Sequence, residues 1–184
     1  IGNSMGGGVA IGMALTHPDR VSRLVLIDSL PDHVRERLVS PLMQRALNTS
    51  VPAWLARFGA LFVGNRTMEA VLKEIIFDHT LVTAAVLDRS NRNRQREDMI
   101  TPLMSLRDSL PLWEQHFAPR LKEIRHPTLI LWGEQDRLFP PQVGRDLQTT
   151  IPQARLIMIP EAGHIPQWEQ PQVVNRHITE FLQP

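Results

Sequence analysis

The chain has 184 residues, 42% of them hydrophobic, which is enough apolar material for the core of one globular domain. Twenty Lys and Arg against nineteen Asp and Glu leave a formal charge of +1, with no electrostatic footprint for nucleic acid or an anionic membrane surface, so a small-molecule partner is expected. The absence of cysteine excludes disulfides, thiol nucleophiles and cysteine-based zinc sites and favours a reducing, cytoplasmic setting.

The chain opens on IGNSMGGG. Gly2-Asn3-Ser4-Met5-Gly6 fits G-x-S-x-G, the nucleophile elbow, in which a serine sits on a sharp, strained turn between a strand and a helix. The positions two before and two after the serine approach each other closely in such a turn, so both must be small, and Gly2 and Gly6 meet that need. The helix that follows would point its N-terminal N–H groups at developing negative charge, with Met5 supplying one oxyanion-hole donor. Taken alone, the pentad also fits a plain glycine-rich turn. A dinucleotide site fails, because Gly6-Gly7-Gly8 does not satisfy G-x-G-x-x-G. No cofactor is expected.

A helix over Val9 to Leu15 should stop at His17-Pro18, since proline disfavours helical geometry in its predecessor. Leu24-Val25-Leu26-Ile27 reads as a short strand buried on both faces, ending at Asp28-Ser29. From Pro31 to about Pro119 the texture changes to helical periodicity, as at Met68, Val71, Leu72, Ile75 and Ile76. Prolines 41, 52, 102, 111 and 119 divide this insertion into about five or six helices. Within it, Arg89 to Arg96 is a basic run that reads as a solvated helical face or, less simply, as a patch for an anionic ligand. Two further buried strands follow, Thr128 to Trp132 closed by Gly133 and Ala154 to Ile159 closed by Pro160. A closing helix from about Pro171 carries the stripe Val173, Val174, His177, Ile178, Phe181 and Leu182, with His177 expected in the core.

Buried strands alternating with helices define an α/β chain with a parallel, doubly wound sheet. Its parts are 1–30, holding the elbow, a helix and a strand; 31–119, an all-helical cap; and 120–184, holding two strands and the closing helix. No apolar run of about eighteen residues occurs, so no membrane span is expected. A leader ahead of Ile1 stays open, and so does a homo-oligomer.

An isolated serine hydroxyl is a poor nucleophile near neutral pH; it needs a base, and the base needs an orienting group. Asp136 lies in the loop leaving the second long strand and His164 in the loop leaving the third, in Glu161-Ala-Gly-His164. Loops at the carboxyl ends of parallel strands converge on one edge of a sheet, where ligands bind. Asp28, which ends its own strand, and Glu134 are rival acids. His17, His33, His79, His116 and His126 show no metal-ligand spacing, and no metal is expected.

The order Ser4, Asp136, His164, each beyond a strand, resembles the α/β-hydrolase superfamily across essentially the whole chain, with the helical insertion in the place of that family's cap. More narrowly, GNSMGG, WGEQDRLFP, GHIPQWEQP and VVNRHITEFL look like the serine hydrolases that cleave carbon–carbon bonds in ring-fission products of aromatic degradation. The resemblance implies a Ser4-Asp136-His164 triad acting through an acyl-enzyme on an ester or a dienoate-type carbon–carbon bond. It also implies substrate contacts from cap residues Arg89 or Arg92 and from Trp132 and Trp168. Ile165 stands where that subgroup has an aromatic residue, and Asp28-Ser29 stands where it has a Gly-rich segment. The family's sheet has further strands, of which this chain would supply the sixth to eighth, with Ile1 alone left of the fifth. An N-terminally truncated, catalytically incompetent fragment with half an oxyanion hole, or a cofactor-free haloperoxidase-like member, are the alternatives.

Overall fold

The sheet is built from four parallel strands whose order in space follows the chain: β1 (Gly2–Asn3), β2 (Leu24–Ile27), β3 (Thr128–Gly133) and β4 (Ala154–Ile159). The computed structural model describes residues 1–48, 65–94 and 100–183. Every residue of β2 and β3 is buried, which explains why these strands read as continuous apolar runs. Their side chains alternate between two cores. Leu24, Leu26, Ile130 and Trp132 pack on one face with Ile11, Ala14, Val143 and Leu147. Val25, Ile27, Leu129 and Leu131 pack on the other with Val174.

Two helices therefore cover the first face, α1 (Met5–Thr16) and the helix Pro141–Thr150, and the C-terminal helix Pro171–Leu182 covers the second. This is the doubly wound arrangement expected from the sequence. Val173, Ile178 and Phe181 join the second core, half-buried. Two members of the expected stripe do not: Leu182 is exposed, and His177 is half-buried at the rim with Nδ1 3.6 Å from Glu180. The apolar seam of a helix lying on a sheet edge is narrower than its sequence period suggests.

β1 corrects the expectation that Ile1 alone would remain of its strand. Gly2 pairs with Leu26 and Asn3 with Ile27, and the Ser4 N–H extends the ladder to Ile27 O at 2.9 Å. α1 begins at Met5 rather than Val9, because the Ser4 carbonyl already accepts from Gly7 N and Gly8 N. Glycine at position 7 lets the helix press onto the loop after β2: a Cβ there would lie 2.2 Å from Ser29 Oγ. The outer side of α1 leaves Met5, Val9 and Met13 exposed.

Between Val34 and Glu123 every described element is helical: Val34–Arg37, Pro41–Asn48, Asn65–Ile75, Ala84–Arg94, Ile100–Leu112 and three short turns. Pro41 opens its helix, and Pro111 lies inside Ile100–Leu112, just before the backbone widens into a π turn over Trp113–Phe117. A missing N–H and a crowded ring are the usual causes of such a change. Pro52 and the end of the basic run lie outside the described residues. Among the described residues, no helix is long and apolar enough to cross a membrane.

Candidate active site

Ser4 sits at the junction of β1 and α1 with φ 51° and ψ −120°. A positive φ is strained for a residue with a Cβ and persists only where the surroundings enforce it. Here four hydrogen bonds do so. Ser4 N–H donates to Ile27 O, Leu30 N–H donates to Ser4 O at 3.2 Å, and the Asn3 side-chain amide donates to Ile27 O and to His164 O, each at 3.1 Å. The turn also needs the glycine before it. A Cβ on Gly2 would lie 2.1 Å from Gly6 O, a severe clash with backbone of α1. At Gly6 a Cβ would meet nothing within 4 Å, so the steric demand expected at both glycines falls on Gly2 alone.

Asp136 lies in the loop leaving β3 and is buried, with its Oδ1 accepting from Leu138 N at 2.7 Å and Phe139 N at 3.2 Å. These two bonds fix the carboxylate so that Oδ2 meets His164 Nδ1 at 2.8 Å. A carboxylate can only accept, so Nδ1 carries the ring proton and Nε2 is left as an acceptor. Nε2 lies 2.8 Å from Ser4 Oγ. The Ser4 hydroxyl is thereby committed to the ring, which is why it makes no capping bond to α1. The Phe139 ring flanks His164, with centroids 5.8 Å apart.

The loop that carries His164 is held from three sides. Gln135 N–H donates to Ala162 O, and Ala162 N–H donates back to Gln135 Oε1, lacing the exits of β3 and β4 together. This close approach explains Gly133, where a Cβ would lie 2.0 Å from Gly163 O. His164 N–H donates to Ile75 O at 2.8 Å, at the end of the helix Asn65–Ile75. Glu169 closes the arrangement: Oε1 accepts from Gly163 N at 2.7 Å, and Oε2 accepts from Phe77 N at 2.6 Å and Asp78 N at 3.1 Å. One carboxylate thus joins the histidine loop to the helical insertion.

The structure brings Ser4, Asp136 and His164 together, and places Met5 at the first position of α1, where the N–H has no acceptor within the helix. Of the rival acids, Glu134 is exposed, whereas Asp28 is fully buried beside Asp136 and accepts from Gly133 N rather than from His164 Nδ1. Trp132 is corrected from a substrate contact to a core residue: it has no exposure, its ring lies over Gly144, and its Nε1 donates to Phe139 O at 3.3 Å. Trp168 is 40% exposed. Arg89 and Arg92 lie exposed on the helix Ala84–Arg94, and Arg92 pairs with Asp88 one turn away, the ordinary geometry of a solvated face. Asn3, Glu169, Gln135 and Phe139 escaped the sequence reading. Asn3 and Glu169 lie inside the motifs quoted above, but their partners are backbone groups that no spacing identifies.

An apolar cavity of about 450 Å³ lies between α1 and the helix Ile100–Leu112, walled by Met5, Gly8, Leu30, Leu110, Trp113 and Phe117. Its wall includes Met5 but neither Ser4 nor His164, so it flanks the hydrogen-bonded trio rather than containing it.

A strained serine between a parallel strand and a helix, with an acid and a histidine on the next two strand exits, is the architecture of one family. The model of the alpha/beta hydrolase fold matches residues 1–171, and the chain belongs to that family. It is 30% identical over 183 residues to 2-hydroxy-6-oxo-6-phenylhexa-2,4-dienoate hydrolase of Burkholderia cepacia, and covers 99% of this chain in that match. An uncharacterised hydrolase, YugF of Bacillus subtilis, is 26% identical over 187 residues, covering 99% of this chain and 64% of its own length. Among solved structures, a variant of the meta-cleavage product hydrolase CumD superposes with a TM-score of 0.72 at 25% identity, covering 98% of this chain and 62% of that one. The chain spans about 61% of the length of the Burkholderia relative.

Proposed function

We propose that the protein is a serine hydrolase whose nucleophile is Ser4, base His164 and orienting acid Asp136. The observation that carries this reading is the continuous hydrogen-bonded line from Asp136 Oδ2 through both ring nitrogens of His164 to the Oγ of a serine held at positive φ. Ser4 Oγ attacks a substrate carbonyl carbon while its proton passes to His164 Nε2. Asp136 stabilises the imidazolium, and the Met5 N–H faces the oxyanion. The tetrahedral adduct collapses with transfer of that proton to the leaving atom, giving an acyl-Ser4. His164 then takes a proton from water, hydroxide adds to the acyl carbon, and the acid leaves as the proton returns to Ser4.

The apolar cavity beside Met5 favours a substrate with a hydrocarbon or aromatic arm. The likeness to dienoate hydrolases favours a carbon–carbon bond next to a ketone over a simple ester.

The test is a fluorophosphonate probe with intact-mass and peptide analysis, run beside turnover of a chromogenic short-chain ester and of a 2-hydroxy-6-oxodienoate. Ser4-dependent labelling, abolished in Ser4→Ala, is the expected result. A folded chain that stays unlabelled at Ser4 overturns the reading and leaves the incompetent-fragment alternative.

A further inference from the structure

Asp28 does work that the triad leaves unassigned. It ends β2, has no solvent exposure, and holds φ 38°, a left-handed conformation that a side-chain-bearing residue keeps only under constraint. Its Oδ1 accepts from Gly133 N at 2.9 Å, while its Oδ2, equally buried, has no hydrogen-bond partner. Carboxyl oxygens of Asp28 and Asp136 and a ring nitrogen of His164 lie within 4.8 Å of one another. Two ionised carboxylates that close, both buried, repel strongly. Asp136 already accepts three hydrogen bonds: Oδ1 takes two backbone N–H groups and Oδ2 takes His164 Nδ1. The unsatisfied atom of the cluster is therefore Asp28 Oδ2, and what it lacks is a proton. A cation would have to compete for Asp136 oxygens and His164 ring nitrogens that already hold hydrogen bonds.

We propose that Asp28 is a neutral carboxylic acid in the folded protein that directs its Oδ2 proton toward Asp136, acting as a positioning residue that lets Asp136 remain the one ionised carboxylate of the pair and keeps it in one rotamer. Burial and the adjacent Asp136 charge push the Asp28 carboxyl well above its ordinary range, against the opposing Gly133 N–H, and Glu169 adds a weaker effect in the same direction as Asp136. The groups facing Asp28 are thus Asp136, His164 and Glu169. A second negative charge beside His164 would hold the imidazole in its protonated form and deny Ser4 its base. The neutral Asp28 prevents this.

The consequence for catalysis rests on the serine-hydrolase reading, but the protonation does not. Both tests below read protonation alone, so either idea can fail while the other stands. The first is infrared spectroscopy of the full chain with ¹³C-carboxyl aspartate, titrated from pH 5 to 8. One protonated carboxyl band that persists at pH 7 and shifts in deuterium oxide is expected; if every aspartate titrates as an ordinary exposed acid, the proposal fails. The second compares melting temperatures of wild type and Asp28→Asn over the same range. A carboxyl whose folded value lies above its unfolded one contributes most at low pH and loses that contribution as pH rises. Wild type should therefore lose up to roughly 3 to 5 °C per pH unit relative to the asparagine variant. A difference that is flat in pH, or that grows in favour of wild type, overturns the proposal. If Asp28→Asn does not fold, the wild-type infrared titration still decides.

Discussion

At the carboxyl edge of the sheet, Ser4 holds a strained backbone, Asp136 and His164 are buried, and hydrogen bonds tie Asn3 and Ser4 to His164, about 160 positions away in the chain. The helices between Val34 and Leu112 are built differently. Their described side chains are mostly half-buried or exposed, and apart from Arg37, which reaches Asp146, ion pairs such as Lys73 with Glu69 and Arg92 with Asp88 are local and solvated. Over-determination holds the first region in one arrangement; the second is held by modest apolar contact at residues such as Val34, Leu38, Ile76 and Leu110. Under the proposed function, rigid geometry is concentrated where a proton would move between fixed atoms, and the helical insertion is held by fewer constraints.

The contrast can be broken most severely at the acid. Asp136→Asn should lower kcat/KM toward a turned-over ester by about 10⁴-fold, since it leaves the ring in the wrong tautomer. Near-normal turnover in that variant would move the orienting role to Asp28. Next in size is the elbow. Gly2→Ala forces a Cβ into the Gly6 carbonyl and should destabilise by about 3 kcal/mol or more, whereas Gly6→Ala, with open space and a helical position, should stabilise by about 0.5 kcal/mol. Urea unfolding midpoints of the pair give the comparison directly, and equal shifts would contradict the asymmetry.

A smaller effect is expected where the two regions join. Glu169→Ala strands the N–H groups of Gly163, Phe77 and Asp78 and should lose about 1 to 3 kcal/mol in thermal melts, with Glu169→Gln losing less because one oxygen remains. The least is expected at the surface. Arg37 bonds Asp146 and Asp32, and its hydrogen bond holds the Asp146 carboxyl below the usual range. The depressed value means that this pair helps at neutral pH and stops helping as pH falls through it. Arg37→Ala should nonetheless shift stability by about 1 kcal/mol or less, and high salt should erase most of the difference.

β2 and β3 were legible because both of their faces are covered, so they appear as apolar runs without alternation; β4, expected to be buried, is mostly half-buried with Arg155 exposed, as befits the edge of the sheet. The serine was legible from its Gly2-Asn3-Ser4-Met5-Gly6 pentad, and the acid and the histidine because each follows such a run. Trp132 misled because its position beside a strand exit says nothing about which face it takes; alternation with Ile130 sends it into the core. Asn3 and Glu169 could not be found by spacing, since each acts on main-chain groups brought near only by the folded loops. Asp28 was visible as an acid at a strand end, but its unsatisfied Oδ2 depends on how tightly Gly133 and Asp136 close around it, and only coordinates contain that.

The bond from His164 N–H to Ile75 O gives this molecule a built-in clock. The main-chain proton of the histidine can exchange with solvent deuterium only when the end of the helix Asn65–Ile75 lets go, so its exchange rate counts detachments of the insertion from the sheet. A ligand that seats the insertion would slow that clock without touching the imidazole, and binding could be followed at one amide before any bond in the substrate is broken.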